Sequence, residues 1–336
     1  MKDQLVASPI ILFTSKYNTP GTAETIIKET AAKDTEKADI AKVALMLFRG
    51  KVDAAEQEIK KIDLPGQSTE TVMAASFLRS RIALLQGSIP KWKSARELCI
   101  NYNVSEKKQW MELNLAIIDG VMCTSPKYPE YFLEGDFTKM PSKWFEALKV
   151  FHVGDIVNRA DFQRHDILIE SFISGSKVRK ALLSELFLHT LAAMGYYRGG
   201  NKQKTKEHLI SAVALAEPDQ LVYPFAICGR HFGRYLDAVL EGVNNDFLEK
   251  IKALSERFVL GKTKIQNMLY KGSYTTELTE REYDAATFAA LGKSNKEIAD
   301  LMDISVNTVK LYLRNVYEKL GISKRADLSK HIWSGQ

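Results

Sequence analysis

Asn307, Lys310, Leu311 and Arg314 follow one another at intervals of three, one and three, in a stretch whose apolar residues recur with helical spacing. On a helix they project as one mixed polar and basic patch. Lys310 and Arg314, four positions apart, stack on a single face, where a lysine or arginine can donate to guanine O6 and N7 in a DNA major groove. The same face on a lone amphipathic helix is ordinarily solvated surface. Its chemistry therefore depends on the elements that hold it.

Those elements are marked by their caps. Thr279-Glu-Arg-Glu282 and Ser294-Asn-Lys-Glu297 are both capping boxes, in which the hydroxyl accepts from the third helical amide and the glutamate reaches back to the cap amide. The first predicts a helix starting at 279. The second, after the breaker at Gly292, predicts a short helix with Ile298, Ala299 and Met302 on its apolar side. Asp303-Ile304-Ser305 is a three-residue turn. Ser305 then caps a longer helix with Val306, Val309, Leu313, Val316, Tyr317 and Leu320 opposite the basic patch, and Gly321 ends it. Two capped helices joined by such a turn, the second carrying such a face, make up the arrangement that lays a recognition helix in the major groove.

Charge is distributed accordingly. From Thr276 to Asp303 three basic residues stand against seven acidic ones, a net of −4, whereas from Ser305 to Arg325 five stand against one, a net of +4. A polyanion is repelled by the first stretch and attracted by the second. The whole chain carries +6, which permits nucleic acid as a partner without requiring it.

Four segments in order, Leu278-Thr-Glu-Arg-Glu282, Gly292-Lys-Ser-Asn-Lys-Glu-Ile-Ala299, Ile304-Ser-Val-Asn-Thr-Val-Lys310 and Leu320-Gly-Ile-Ser323, resemble the LuxR/GerE helix-turn-helix domain over roughly residues 276 to 334. The resemblance implies a four-helix domain without a wing that reads double-stranded DNA as a homodimer. It assigns base contacts to Lys310, Leu311 and Arg314, and phosphate contacts to Asn307 and Thr308. Ser294, Lys296 and Lys319 are further phosphate candidates. It also places the last helix, Arg325 to Trp333, at the dimer contact. There Leu328, Ile332 and Trp333 leave an apolar strip whose alternative use is packing on the domain's own first helix. Glu280 stands where the family commonly has proline and Tyr312 where it often has histidine, departures that bear on base preference rather than on fold.

Ahead of this domain the chain reads as all-α. Between Glu36 and Tyr270 apolar residues recur at three and four positions with no alternating run. Breakers near 50, 87, 124, 161 and 199 fall about 37 residues apart, close to helical-repeat periods. The pair at Leu182 to Pro218, split by Gly199-Gly200-Asn201, is the clearest instance and resembles a tetratricopeptide-type (TPR-like) repeat. The expected organisation is an array over 1–272 and a helix-turn-helix domain over 273–336, hinged at Gly272-Ser273 behind the basic segment Lys250 to Lys271. A solenoid presents a concave face for a peptide, a helix or a small ligand. Trp92, Trp110, Trp144, Tyr196, Tyr197, Tyr223 and Phe225 are candidates to line it, although aromatics at helical spacing are more often core. Pro126 to Pro141 is the least regular stretch, either a loop over a pocket or a long connection. An array ahead of a LuxR-type domain is similar to the sensor portion of MalT-like regulators, which implies an effector, small molecule or protein, acting at the repeats.

Other classes find little support. Gly261-Lys-Thr263 is the nearest trace of a phosphate-binding loop, but Glu256 stands where its first glycine belongs. The six histidines, His152, His165, His189, His208, His231 and His331, form no metal-spaced pair, and no serine elbow or catalytic cysteine context occurs. Neither catalysis, a cofactor nor a metal is expected. Cys99, Cys123 and Cys228 are odd in number and far apart, which is the pattern of buried thiols in a reducing, cytoplasmic compartment. Leu5 to Phe13 is too short to span a bilayer and no membrane association is expected. Helices throughout the N-terminal region exclude a phosphorylation receiver. The alternative function is an adaptor that binds proteins through its repeats and does not read DNA.

Overall fold

The computed structural model describes residues 16–62, 64, 67–101, 108–120, 128–139, 142–158, 162–228, 232, 234–240, 245–269 and 278–332. All regular structure among them is helical. Seven helices cover the first half: α1 (Ala23–Ala31), α2 (Thr35–Phe48), α3 (Val52–Lys60), α4 (Thr69–Leu85), α5 (Ile89–Ile100), α6 (Lys108–Gly120) and α7 (Glu130–Leu133). They are followed by α8 (Phe145–Asn158), α9 (Phe162–Val178), α10 (Leu182–Gly199), α11 (Lys202–Ala216), α12 (Tyr223–Ala226), α13 (Arg234–Leu240) and α14 (Asn245–Leu269).

The breakers do what their chemistry predicts. At Gly50, Gly87 and Gly200 the backbone turns left-handed, with φ of 75, 61 and 85°, and successive helices fold back as hairpins. The adjacent pairs α10/α11, α9/α10 and α4/α5 are the most extensively packed. The breakers expected at 124 and 161 lie outside the described residues.

The array is not an open solenoid, because it closes on itself in two places. Asp219, 2% exposed, accepts from the Tyr17 hydroxyl at 2.7 Å, the Gly21 amide at 2.6 Å and the Ala23 amide at 3.3 Å, which ties the start of α1 to the end of α11. The long α14 returns to pack along α4. Its Gly261 lies so close that an added Cβ would stand 1.6 Å from the Leu84 carbonyl oxygen. Gly261-Lys-Thr263 is thus a helix crossing, and its glycine is there for contact.

A single apolar cluster results, running from Tyr17 to Ile265. Six of the seven aromatics considered for a concave face, Trp92, Trp144, Tyr196, Tyr197, Tyr223 and Phe225, are buried core, and half-buried Trp110 lies 4.9 Å from the Trp144 ring. The irregular stretch after 128 is anchored by Phe132, fully buried between Tyr128, Phe137 and His152.

Four more helices follow: α15 (Glu280–Ala290), α16 (Asn295–Met302), α17 (Val306–Leu320) and α18 (Leu328–Ile332). They enclose a second, smaller core of Leu278, Ala285, Ala286, Phe288, Ala289, Ile298, Ala299, Met302, Val309, Leu313, Val316 and Leu328. Among the described residues two from the array meet it, Tyr197 within the core and Tyr235 half-buried against it. Tyr197, near the end of α10, packs its ring 5.3 Å from both Phe288 and Tyr235. The Gly272-Ser273 hinge lies outside the described residues.

Candidate nucleic-acid interface

The interface is built from its caps outward. Both capping boxes form: the Glu282 amide donates to Thr279 Oγ1 while the Thr279 amide donates to Glu282 Oε2, and Ser294 and Glu297 repeat the exchange. α16 ends on Asp303 in the left-handed region at φ 54°, a conformation a short polar side chain tolerates, and this turns the chain into α17 within three residues. Ser305 caps α17 by accepting from the Thr308 amide at 3.1 Å. Gly321, left-handed at φ 64°, ends it.

Val309, Leu313 and Val316 bury the inner side of α17, and α15 and α16 both pack against it. Val306, expected on that side, is instead 37% exposed at the helix start. The outer side carries Asn307, Lys310, Leu311 and Arg314 as exposed residues, with Leu311 at 44%. Among the described residues Lys310 and Arg314 have no ion-pair partner, so their charges face solvent and remain available to a polyanion. Thr308 is half-buried, its hydroxyl 2.8 Å from that of Ser305. Ser294 and Lys296 are exposed at the start of α16. The structure thus brings Ser294, Lys296, Asn307, Lys310, Leu311 and Arg314 onto the outer surface of one domain.

Two expected residues are placed otherwise. Lys319 is only part-exposed and its charge, unlike those of Lys310 and Arg314, is paired. Its ammonium lies 2.7 Å from Glu282 Oε2, with the two side chains 31% and 5% exposed, so the N3 carboxylate of the first capping box also fastens α17 to α15. Burial pushes the Glu282 carboxyl up, but Lys319 and the Thr279 amide outweigh it and hold the group below the usual carboxylate range. Leu328, assigned to a dimer contact, is fully buried in the domain's own core, because α18 packs on α15. Ile332 is half-buried against the same core and Trp333 lies outside the described residues.

Sequence reasoning missed one cluster. His189 on α10 and His208 on α11 meet with their Nδ1 atoms 2.9 Å apart, while His208 Nε2 lies 3.2 Å from Glu170. Burial, with His208 alongside, holds His189 down to about 4, and burial holds His208 below its ordinary value. The signal was present: the two positions lie ten residues before Gly199 and eight after Gly200, and residues at such similar distances from a turn come together in an antiparallel hairpin. No group of three or more metal-ligating side chains is assembled among the described residues. No helix there is long and apolar enough to cross a membrane.

Residues 276–332 match the GerE family, described as bacterial regulatory proteins, luxR family. Over 192 residues the chain is 24% identical to the HTH-type transcriptional regulator MalT of Klebsiella pneumoniae, in an alignment covering 51% of this chain and 21% of that protein. It is 26% identical over 156 residues to the protein of the same name from Cronobacter sakazakii, covering 40% and 17%. The chain therefore spans about a fifth of the length of these relatives, and both alignments are longer than the GerE segment, so the likeness extends into the helical array. No solved structure matches the chain significantly. The caps, the turn, the outward face of α17 and the matched span agree: the C-terminal region is a helix-turn-helix domain of the luxR family of bacterial regulatory proteins.

Proposed function

We propose that the chain is a DNA-binding transcriptional regulator in which α17 enters the major groove of double-stranded DNA. The observation that carries this is the exposed, unpaired cationic face of Lys310 and Arg314 on a capped helix of a luxR-family domain. In this reading Lys310, Leu311 and Arg314 contact bases, and Asn307, Thr308, Ser294 and Lys296 contact phosphates. Lys319 positions α17 through Glu282. Ile332 and Trp333 form the homodimer contact, with Leu328 supporting them from inside. Residues 1–272 form the regulatory array, which answers to a small-molecule or protein effector, and 273–336 the reader; the likeness of the array to proteins named as transcriptional regulators supports its part in regulation.

The test is salt-dependent retention on duplex DNA. Displacing counterions from several phosphates gives an affinity that falls linearly with salt on logarithmic axes, with a slope of about −0.9 per phosphate contacted. Site selection with the full chain should return a preferred sequence. Retention without salt dependence or preference would favour an adaptor that binds proteins through its array.

A further inference from the structure

The array and the DNA-binding domain meet along a cleft of about 240 Å³. Tyr197 and Tyr235 come from the array side, Leu301 and Met302 from α16. The approach is close at Gly200, whose left-handed φ of 85° takes the chain past Leu301, with 3.0 Å between an added Cβ and the Leu301 side chain. Nearby, Lys202 donates to the Asp300 carbonyl at 2.8 Å, bridging the two regions beside the cleft.

Among the described residues four charged side chains line the walls: Lys202, already bonded to the Asp300 carbonyl, Asp284, buried and itself engaged, and two of opposite sign without such a bond. Arg281, at the start of α15, and Asp303, at the end of α16, both line the cleft, and neither has an ion-pair partner among the described residues. They do not pair with each other. An unpaired guanidinium and an unpaired carboxylate lining one cleft with two tyrosines and two aliphatic side chains complement a small molecule bearing both charges and a flat apolar body. The volume equals about eight waters at roughly 30 Å³ each, room for a molecule the size of one amino acid.

We propose that this cleft binds a free aromatic amino acid, its carboxylate on Arg281, its ammonium on Asp303 and its ring against Tyr197 and Tyr235. Bound there, it touches both regions at once and favours the docked arrangement over any other, which is the differential affinity a regulatory ligand requires. The inference deepens the proposed function by naming the effector class and its site. The regulatory consequence rests on that function; the binding itself does not.

The test is calorimetric titration of the full chain with L-phenylalanine, L-tyrosine and L-tryptophan, beside phenylpropionate, which lacks the ammonium, and phenylethylamine, which lacks the carboxylate. At least one amino acid should bind saturably, and each single-charge analogue about tenfold or more weakly, as expected for loss of a charged hydrogen bond. Arg281→Gln should weaken the amino acid and phenylpropionate but leave phenylethylamine unchanged, and Asp303→Asn should do the reverse. Asparagine tolerates the left-handed backbone at 303, and unchanged helical circular dichroism checks the fold of both variants. Absence of saturable binding by all three amino acids at millimolar concentration, or binding indifferent to both substitutions, would overturn the proposal. DNA retention by the same preparations without ligand tests the proposed function separately.

Discussion

Lys319 offers the sharpest test of how the interface is built, because an end-of-helix lysine in a basic stretch reads as a phosphate contact whereas the structure spends its charge on Glu282. Lys319→Ala leaves a carboxylate with 5% exposure facing the Thr279 amide but no cation. Removing one partner of a fully buried pair costs about 3 to 5 kcal/mol, and an exposed pair is worth about 1 or less. With Lys319 one-third exposed and the Thr279 bond retained, about 2 kcal/mol is expected. By linkage, that corresponds to about 30-fold faster amide exchange in α15 and α17, measured in the full chain. The pH dependence has a definite sign. Because the Glu282 carboxyl is held low, its contribution is complete above the unfolded value of about 4.3 and is lost as pH falls through the folded value. The gap between wild type and variant should therefore be constant at neutral pH and close in acid. The salt slope of DNA binding should not change. Unaltered exchange together with a slope shallower by about one would show that Lys319 touches phosphate and that its pairing with Glu282 is dispensable.

Arg314→Ala should cost about 1 to 3 kcal/mol at the preferred site and relax preference at one base pair, read by site selection, and recovery of the wild-type site at wild-type affinity would remove Arg314 from the readout. Asp219→Ala deprives the Tyr17 hydroxyl and two backbone amides of their acceptor at a buried position; a loss of about 3 kcal/mol is expected in urea unfolding, and a loss below about 1 would mean the closure of the array is not held there. Burial pushes the Cys228 thiol up to about 12, so its alkylation at pH 8, followed by mass spectrometry, should be about a thousandfold slower in the folded chain than in urea; similar rates would contradict that burial.

What the sequence disclosed and what it concealed divide by the range of the interaction. The capping boxes at Thr279 and Ser294 and the caps at Ser305 and Gly321 are satisfied within a few residues, so residue types at fixed offsets were enough to place α15, α16 and α17. The hairpin α10/α11 was legible for the same reason. Closure of the array was not. It depends on Asp219 meeting Tyr17 across 202 positions and on Gly261 meeting Leu84, and neither contact leaves a periodic trace. Reading the chain as an open solenoid followed from treating each pair as a neighbour of the next alone. Leu328 was legible as apolar but not as inward-facing, since a five-residue helix shows too little of its period to assign a face.

The docking of the two regions constrains how regulation can work. Tyr197, Lys202 and Gly199 engage α15, α16 and Lys293, whose ammonium reaches the Gly199 carbonyl. Asn307, Lys310, Leu311 and Arg314 remain exposed with the array in place. Occlusion of the recognition face would require contacts on the outer side of α17 that this arrangement lacks. What the array does fix is its own position relative to the reading helix. A dimeric reader must set two such helices about one DNA turn, roughly 34 Å, apart, so a bulky array held against α15 and α16 governs whether a second copy can approach at that spacing. Under the proposed function, an effector that alters docking therefore acts on pairing of the readers and leaves the chemistry of each recognition face unchanged.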